Sequence, residues 1–181
     1  MGNLPPKTFR DILAMPEVAL KPRVFVELGT FKGDSAALAT QSFEVVHTIE
    51  RSAVYYQEAK HKWHHLGIRF HLGDTRIVLP LLSETIREPI FAYHDANWWT
   101  VGKDGRGAGY PYVQKDFPLW DDLQTLAKRD YRDIICVDNV HRFGDTKPMQ
   151  EWADVSLDRI AALFPSHRAA KIFQDQAVVI R

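Results

Sequence analysis

The sequence lacks three features that would each have pointed to a class of protein. It has one cysteine in 181 residues, which excludes a disulfide framework and a multi-cysteine metal site. Its 23 basic and 23 acidic side chains cancel, so we expect no long-range field that would recruit nucleic acid or an anionic membrane. No window is long and apolar enough to span a bilayer, and Met1–Lys7 has no apolar core typical of a signal peptide. We therefore expect a cytoplasmic protein.

What the sequence does contain is a regular alternation of strand-like and helix-like segments. A length of 181 residues suits a single domain with its own hydrophobic core. Residues 1–22 predict a short leading helix that ends at Lys21-Pro22. The predicted strands after it are Arg23–Leu28, Val45–Glu50, Ile68–Leu72, Ile90–His94, Asp133–Val137, Ala169–Phe173 and Ala177–Ile180.

This alternation predicts an α/β fold of the Rossmann-like, doubly wound type. We expect a mostly parallel seven-stranded sheet with helices on both faces, closed by a C-terminal antiparallel hairpin strand. Residues 97–117 interrupt the pattern, because four glycines stand there among polar and aromatic residues without a clean period. A connection this long is uncommon in a compact domain unless it serves as a lid or binding loop, so a flap over the site is predicted. A surface insertion without such a role is the alternative.

Acidic residues stand at the carboxyl end of each of the first five predicted strands. They are Glu27, Glu50, Asp74, Asp95 and Asp138. In open α/β sheets, ligands bind beyond these ends. The first turn has the spacing E-x-G-x-x-x-G, whereas a dinucleotide-binding turn has G-x-G-x-x-G. An acidic group in this turn disfavours a diphosphate and favours a cofactor that carries ammonium and sulfonium groups.

The segment Val24–Ala36 (VFVELGTFKGDSA) resembles motif I of the class I S-adenosylmethionine-dependent methyltransferases. It is most similar to the metal-dependent O-methyltransferases of catechol type and to related bacterial small-molecule and sugar O-methyltransferases. The resemblance extends from Val24 to the C-terminus. It implies that the methionine half of the cofactor is held by Glu27, Gly29, Thr30, Gly33 and Ser35. It also implies that Glu50 binds the ribose, that Gly73-Asp74-Thr75 flank the adenine, and that Asp95 lies at the cofactor.

The resemblance continues at the ends of the fourth and fifth predicted strands. In the catechol-type family, an Asp at the first end and an Asp-Asn pair at the second bind one Mg²⁺. This implies a metal site formed by Asp95, Asp138 and Asn139, and hard oxygen ligands of this kind suit Mg²⁺. The alternative for the two aspartates is that they cap helices or bind loop amides.

The general base of the catechol-type family has no counterpart here. The family has a lysine three residues after its first metal aspartate, and this chain has Trp98 there. His94 and His141 are the candidate bases, because an imidazole titrates near neutral pH. His141 is favoured, because side chains alternate along a strand and His94 should face away from Asp95.

Together these observations predict an S-adenosylmethionine-dependent O-methyltransferase with Asp95 and His141 as catalytic residues. Its cofactors would be S-adenosylmethionine and Mg²⁺ or another divalent cation, and its acceptor a hydroxylated small molecule. We expect neither nucleic acid nor membrane as a partner, and self-association into a homo-oligomer is left open. Two alternatives are a cofactor-binding protein of methyltransferase fold without activity and an NAD-dependent oxidoreductase.

Overall fold

The computed structural model describes residues 6–96, 117–145 and 152–181. The predicted flap, with Trp98, lies outside the described residues except for Phe117. Seven strands form one sheet: β1 (Val24–Leu28), β2 (Val45–Glu50), β3 (Arg69–Leu72), β4 (Ile90–His94), β5 (Ile134–Val137), β6 (Ala169–Phe173) and β7 (Gln176–Ile180). Their order across the sheet is β3-β2-β1-β4-β5-β7-β6.

The strand directions confirm the predicted fold class. The pairs among β1 to β5 are parallel, and β7 runs antiparallel to both of its neighbours, β5 and β6. The helices are α1 (Pro6–Leu13), α2 (Asp34–Ala39), α3 (Ala53–Lys62), α4 (Thr75–Thr85), α5 (Leu119–Ala127) and α6 (Leu157–Ala162). Two 3₁₀ turns, His64–Leu66 and Val140–Arg142, follow α3 and β5. None of the helices in these described segments is long and apolar enough to cross a membrane.

Helices cover both faces of the sheet, as predicted. On one face, Phe9 of α1 inserts among sheet aromatics, with ring centroids 5.2 Å from Phe25, 5.6 Å from Phe91 and 6.2 Å from Tyr93. On the other face, buried leucines of α4 and α5 and Ile160 of α6 pack against the sheet. Apolar residues buried on both sides explain why the parallel strands read as nearly continuous hydrophobic runs.

The leading helix is shorter than predicted. It spans Pro6–Leu13 rather than most of residues 1–22. Pro16 accounts for the difference, because a proline pushes the residue before it out of helical geometry and cannot donate a backbone hydrogen bond. Serines begin α3 and α6, since the hydroxyls of Ser52 and Ser156 each accept a hydrogen bond from an amide three residues later.

The strand order places the candidate site at one edge of the sheet. It reverses between β1 and β4, and Leu28, His94 and Val137 lie side by side at the carboxyl ends of β1, β4 and β5. Because β7 runs in the opposite direction, its first residue, Gln176, lies at the same edge. The residues that follow β1, β4 and β5 therefore meet the start of β7 at the position where ligands bind in sheets of this type.

Candidate functional site

The turn after β1 passes unusually close to the end of β4. Gly29 has a φ of 100°, and a Cβ added there would lie 2.7 Å from the carbonyl oxygen of Asp95. The N–H groups of Gly29 and Thr30 both donate to the carbonyl oxygen of Ile49 at 3.1 Å, which ties the turn to β2. Glycine is required here both by its backbone angle and by the lack of space.

The second glycine of the motif packs against a tryptophan. Gly33 precedes α2 with a φ of 73°, and a Cβ there would lie 2.9 Å from the ring of Trp63. The Trp63 indole N–H donates to the carbonyl oxygen of Lys32 at 3.0 Å. Ser35, in the first turn of α2, is half-buried. Trp63, the residue that follows α3, therefore supports the motif, a role that the sequence did not indicate because thirty residues separate the two segments.

Glu27 is almost completely buried beneath this turn. Its side chain is 1% exposed and accepts a hydrogen bond of 2.5 Å from the Thr48 hydroxyl. Because that hydroxyl is already a donor, it accepts from the hydroxyl of Thr30. Burial raises the pKa of Glu27 well above its usual value, and the nearby carboxylates of Asp95, Glu50 and Asp34 raise it further. A positive group bound in the site would favour the charged carboxylate.

Glu50 at the end of β2 is oriented by backbone amides on both sides. The Phe31 N–H donates to one carboxylate oxygen at 2.8 Å, and the Ser52 N–H donates to the other at 2.7 Å. Burial raises the pKa of Glu50, whereas these amide hydrogen bonds oppose the rise. Each carboxylate oxygen can accept more than one hydrogen bond, so ribose hydroxyls can still bind. Glu50, the residue predicted to bind the ribose, thus lies beside the motif I turn, and its orientation is fixed before any ligand binds.

Asp74 and Thr75, predicted beside the adenine, both have structural contacts. Asp74 caps α4, accepting from the Arg76 N–H at 3.0 Å, and its carboxylate pairs with the Arg76 guanidinium at 2.6 Å. These hydrogen bonds lower the pKa of Asp74. The Thr75 hydroxyl donates to buried Asp122 of α5 at 2.7 Å. The two side chains therefore shape this corner of the sheet, and their contact with adenine stays a prediction.

The three predicted metal ligands lie together. The Asn139 side-chain amide is 3.3 Å from a carboxylate oxygen of Asp95 and 3.3 Å from one of Asp138. Asn139 has a φ of 66°, a left-handed conformation that asparagine tolerates better than most residues and that turns its side chain back toward Asp138. Burial raises the pKa of Asp138. The other oxygen of Asp138 accepts a hydrogen bond of 2.8 Å from the side chain of Gln176.

This donor set fits a hard cation by its chemistry. Two carboxylates and one amide converge, and the amide oxygen and nitrogen of an asparagine can exchange places by a half-turn. The set holds only two acidic residues. Within the three described segments, no group of three or more His, Cys, Asp or Glu side chains is arranged to hold a metal ion. The metal site therefore stays a prediction.

The two candidate bases differ in burial and in partner. Buried His94 points toward α5, with its Nε2 3.2 Å from the Asp122 carboxylate. His141 is 62% exposed, and its Nδ1 lies 2.6 Å from an oxygen of Asp175. The other oxygen of Asp175 accepts the backbone N–H of His141 at 2.9 Å. As the alternation of side chains predicted, His94 faces away from Asp95, which bonds to Asn139 instead.

Solved structures show which proteins share this fold. An O-methyltransferase from Bacillus cereus, in complex with SAH, is 16% identical to this chain. The match covers all of this chain and 82% of the Bacillus chain, with a TM-score of 0.60. An rRNA methylase from Streptococcus thermophilus is also 16% identical, covers 99% of this chain and 96% of its own, and has a TM-score of 0.57. The O-methyltransferase TomG from Streptomyces achromogenes, in complex with SAM, is 16% identical, covers 96% of this chain and 85% of its own, and has a TM-score of 0.52. The chain has a methyltransferase fold.

Similarity at 16% identity extends to the fold and no further. No protein-family model matches the chain, and no curated protein matches it. Of these three structures, one is an rRNA methylase and two are O-methyltransferases, so the fold alone does not choose an acceptor. The acceptor therefore has to be inferred from the residues at the sheet edge.

Proposed function

We propose that this chain is an S-adenosylmethionine-dependent methyltransferase that transfers a methyl group to a hydroxyl of a small molecule, assisted by a divalent cation. The observation that carries the proposal is how three of the carboxylates at the sheet edge are held. Glu27, Glu50 and Asp138 accept hydrogen bonds from a hydroxyl, backbone amides and a side-chain amide, respectively. Neutral donors orient a carboxylate without cancelling its charge, which remains available for a positively charged ligand.

Other acidic residues are held differently, including Asp74 at the same edge, whose carboxylate pairs with the Arg76 guanidinium at 2.6 Å. Asp133 pairs with Arg129 at 2.8 Å, Asp34 with Lys62 at 2.5 Å and Glu44 with Arg23 at 2.6 Å. In these pairs a basic side chain already balances the carboxylate. The contrast supports a site at the sheet edge for cationic ligands, namely the sulfonium cofactor and a metal ion.

The described residues can bind the cofactor in a defined orientation. Glu50 would accept hydrogen bonds from the ribose hydroxyls, and the Gly29 carbonyl would accept one from the amino group. Ser35 at the start of α2 would bind the carboxylate of the methionine half. Glu27, buried under the turn, would supply the negative charge that complements the ammonium and sulfonium groups. An NAD diphosphate would meet this same negative charge, which argues against the oxidoreductase alternative.

Asp95, Asp138 and Asn139 would hold a divalent cation such as Mg²⁺. Such an ion, when bound, makes a coordinated hydroxyl easier to deprotonate. His141 is the proposed base: Asp175 fixes its ring by accepting from Nδ1–H, which leaves the lone pair on Nε2 for the acceptor's proton. The methyl group would then pass from sulfur to the acceptor oxygen in one displacement.

The test is transfer of a labelled methyl group to a panel of catechols, sugars and other diols, with and without Mg²⁺. Transfer is expected to need the cation and to fall by at least a hundredfold in Asp138→Ala. Asp130→Ala, an exposed aspartate in the loop before β5, is the matched control and should keep wild-type activity. An RNA transcript belongs in the panel, because the chain shares its fold with an rRNA methylase.

Binding measurements separate the alternatives. Calorimetric titration with S-adenosylmethionine is expected to give a measurable affinity that falls in Glu50→Ala. Binding without transfer to any acceptor would favour the inactive cofactor-binding protein. Tight binding of NAD without response to S-adenosylmethionine would overturn the proposal in favour of an oxidoreductase.

A further inference from the structure

Gln176, the first residue of β7, makes a contact with the acidic cluster that the sequence did not predict. Its side-chain N–H donates to Oδ1 of Asp138 at 2.8 Å, and Gln176 itself is 4% exposed. The pairing of Val137 with Ala177 continues by one residue to place Asp138 opposite Gln176. Because β7 is the antiparallel strand, its beginning rather than its end meets the carboxyl edge of β5.

This hydrogen bond assigns separate roles to the two oxygens of Asp138. Oδ1 is held by Gln176, whereas Oδ2 faces the amide of Asn139 at 3.3 Å. Asp138 can therefore present one oxygen toward Asn139 and Asp95, and its side chain cannot rotate without breaking a buried hydrogen bond. A lysine or arginine in place of Gln176 would hold the carboxylate as firmly, but it would also neutralise the charge that a cation needs.

The hairpin that carries Gln176 is itself fastened to the site and to the N-terminal helix. The Asp175 backbone carbonyl accepts the N–H of Val140 at 3.0 Å, just beyond Asn139. The Gln174 side chain accepts a hydrogen bond of 2.9 Å from the hydroxyl of Thr8 in α1. Gln176 is therefore anchored by its strand on one side and by this turn on the other, so its amide has a fixed position from which to orient Asp138.

We propose that Gln176 is a positioning residue for the cation site: it orients Asp138 toward a divalent ion shared with Asp95 and Asn139. The inference rests on the proposed function, because it assumes that the ion binds there. Residues that orient a metal ligand from behind typically contribute a factor of about 10 to 100 in metal affinity. Gln176 does not touch the cofactor in this assignment, so S-adenosylmethionine affinity measured without metal should not depend on it.

The experiment measures binding of Mn²⁺ to the full chain by electron paramagnetic resonance of the free ion. Gln176→Met keeps the length of the side chain and removes the donor, whereas Gln176→Asn keeps the amide but shortens its reach. Both variants are expected to bind Mn²⁺ about 10 to 100 times more weakly than the wild type. The matched control is Gln124→Met, at an exposed glutamine of α5, which should bind Mn²⁺ as the wild type does. S-adenosylmethionine affinity, titrated without metal, should be the same in all four proteins.

The outcomes distinguish this inference from the proposed function. If the wild type binds S-adenosylmethionine but no Mn²⁺, the metal part of the proposed function fails, and this inference fails with it. If the wild type binds Mn²⁺ and the variants at Gln176 bind it equally well, the inference alone is overturned. Loss of S-adenosylmethionine affinity together with that of Mn²⁺ would show that Gln176 supports the fold of the edge rather than Asp138, and would also overturn it.

Discussion

Burial of the Glu27 carboxylate has opposite effects on two properties: it lowers the stability of the free protein and favours binding of a cationic cofactor. The carboxyl is 1% exposed, and its raised pKa means that folding favours its protonated form. The contribution of this group to stability is therefore fully present below its unfolded pKa of 4.5 and is lost as the pH rises through the folded pKa. The charged form therefore carries a cost in the free protein that a bound ammonium or sulfonium group would offset.

Glu27→Gln is expected to change stability and binding in opposite directions. The amide oxygen can still accept from Thr48, and no buried charge remains, so the free energy of unfolding at pH 7 should rise. Affinity for S-adenosylmethionine should fall about tenfold or more, because a hydrogen bond to a charged group contributes roughly 1.5–3 kcal/mol. Urea unfolding at pH 7 and pH 4.5, with calorimetric titration at pH 7, measures both effects.

The stability difference between wild type and Glu27→Gln should shrink toward pH 4.5. Glu44→Gln is the control: Glu44 is exposed and pairs with Arg23, and its pKa is lowered rather than raised. Unchanged cofactor affinity in Glu27→Gln would contradict the role proposed for the buried carboxylate.

Gly29 allows a second test at the scale of one residue. Gly29→Ala should lose at least tenfold in S-adenosylmethionine affinity, because an added Cβ would lie 2.7 Å from the backbone of Asp95 and force the turn away from β4. Gly67→Ala is the matched control, with a φ of 68° and no atom within 4 Å of the added Cβ. It carries only the backbone cost of about 1–2 kcal/mol, and its affinity should be unchanged. Equal behaviour of the two variants in titration and urea unfolding would exclude the close approach as the cause.

At the scale of elements, β2 and the outermost strand β3 carry a pair of histidines, His47 and His71. Nδ1 of His47 lies 3.0 Å from Nε2 of His71, and the two rings stack at an interplanar angle of 4°. Arg69 approaches the other nitrogen of His47 at 3.4 Å. The pKa of His47 is lowered from 6.5 to about 4, first by burial and then by the charges of His71 and Arg69. The pKa of His71 is also lowered, first by burial.

This pair predicts that the protein loses stability in mild acid. Since the folded pKa of His47 lies below its unfolded value, the stabilisation is complete above pH 6.5 and is lost as the pH falls toward 4. The loss from His47 is of the order of 3 kcal/mol at most. Urea unfolding between pH 7 and pH 4.5 should show this slope in the wild type and a shallower one in His47→Leu. His61→Leu, an exposed histidine at the end of α3, should leave the slope unchanged.

Local sequence patterns were enough to predict most elements, because their signals lie within a few residues. Ser52 and Ser156 begin helices, and the apolar runs from Val24 and Ile90 are buried strands. The length of α1 was wrong, because the prediction ended the helix at Lys21-Pro22 and gave no weight to Pro16.

The site was predictable only where its residues directly follow a strand of the parallel sheet. Asp95 and Asp138 could be placed together on that basis. Gln176 and Asp175 could not, since 38 residues separate Gln176 from Asp138 and only the antiparallel register of β7 joins them. Contacts of this kind depend on strand order, which a local pattern does not specify.

At the scale of the whole molecule, the N-terminal helix and the C-terminal hairpin are packed together. Thr8 of α1 donates to Gln174 in the hairpin turn, and Glu17 pairs with Lys171 of β6 at 2.7 Å. Phe9 of α1 packs against the sheet. Its ring contacts that of Tyr93, which lies two residues before Asp95. The early part of the chain thus completes the face that supports the acidic cluster, although the cluster itself comes from later strands.

Phe9→Ala should therefore destabilise the whole molecule rather than release one helix. Phe9 is 1% exposed among four aromatic rings, and such a truncation typically costs about 3–5 kcal/mol. Urea unfolding followed by tryptophan fluorescence should show one transition with a lower midpoint and an unchanged slope, because helix and sheet unfold together. Ile77→Ala, at a position 67% exposed on α4, is the control and should change stability by less than about 0.5 kcal/mol. A change below 1 kcal/mol in Phe9→Ala, or a second transition, would show that α1 is an independent appendage and that the sheet supports the acidic cluster without it.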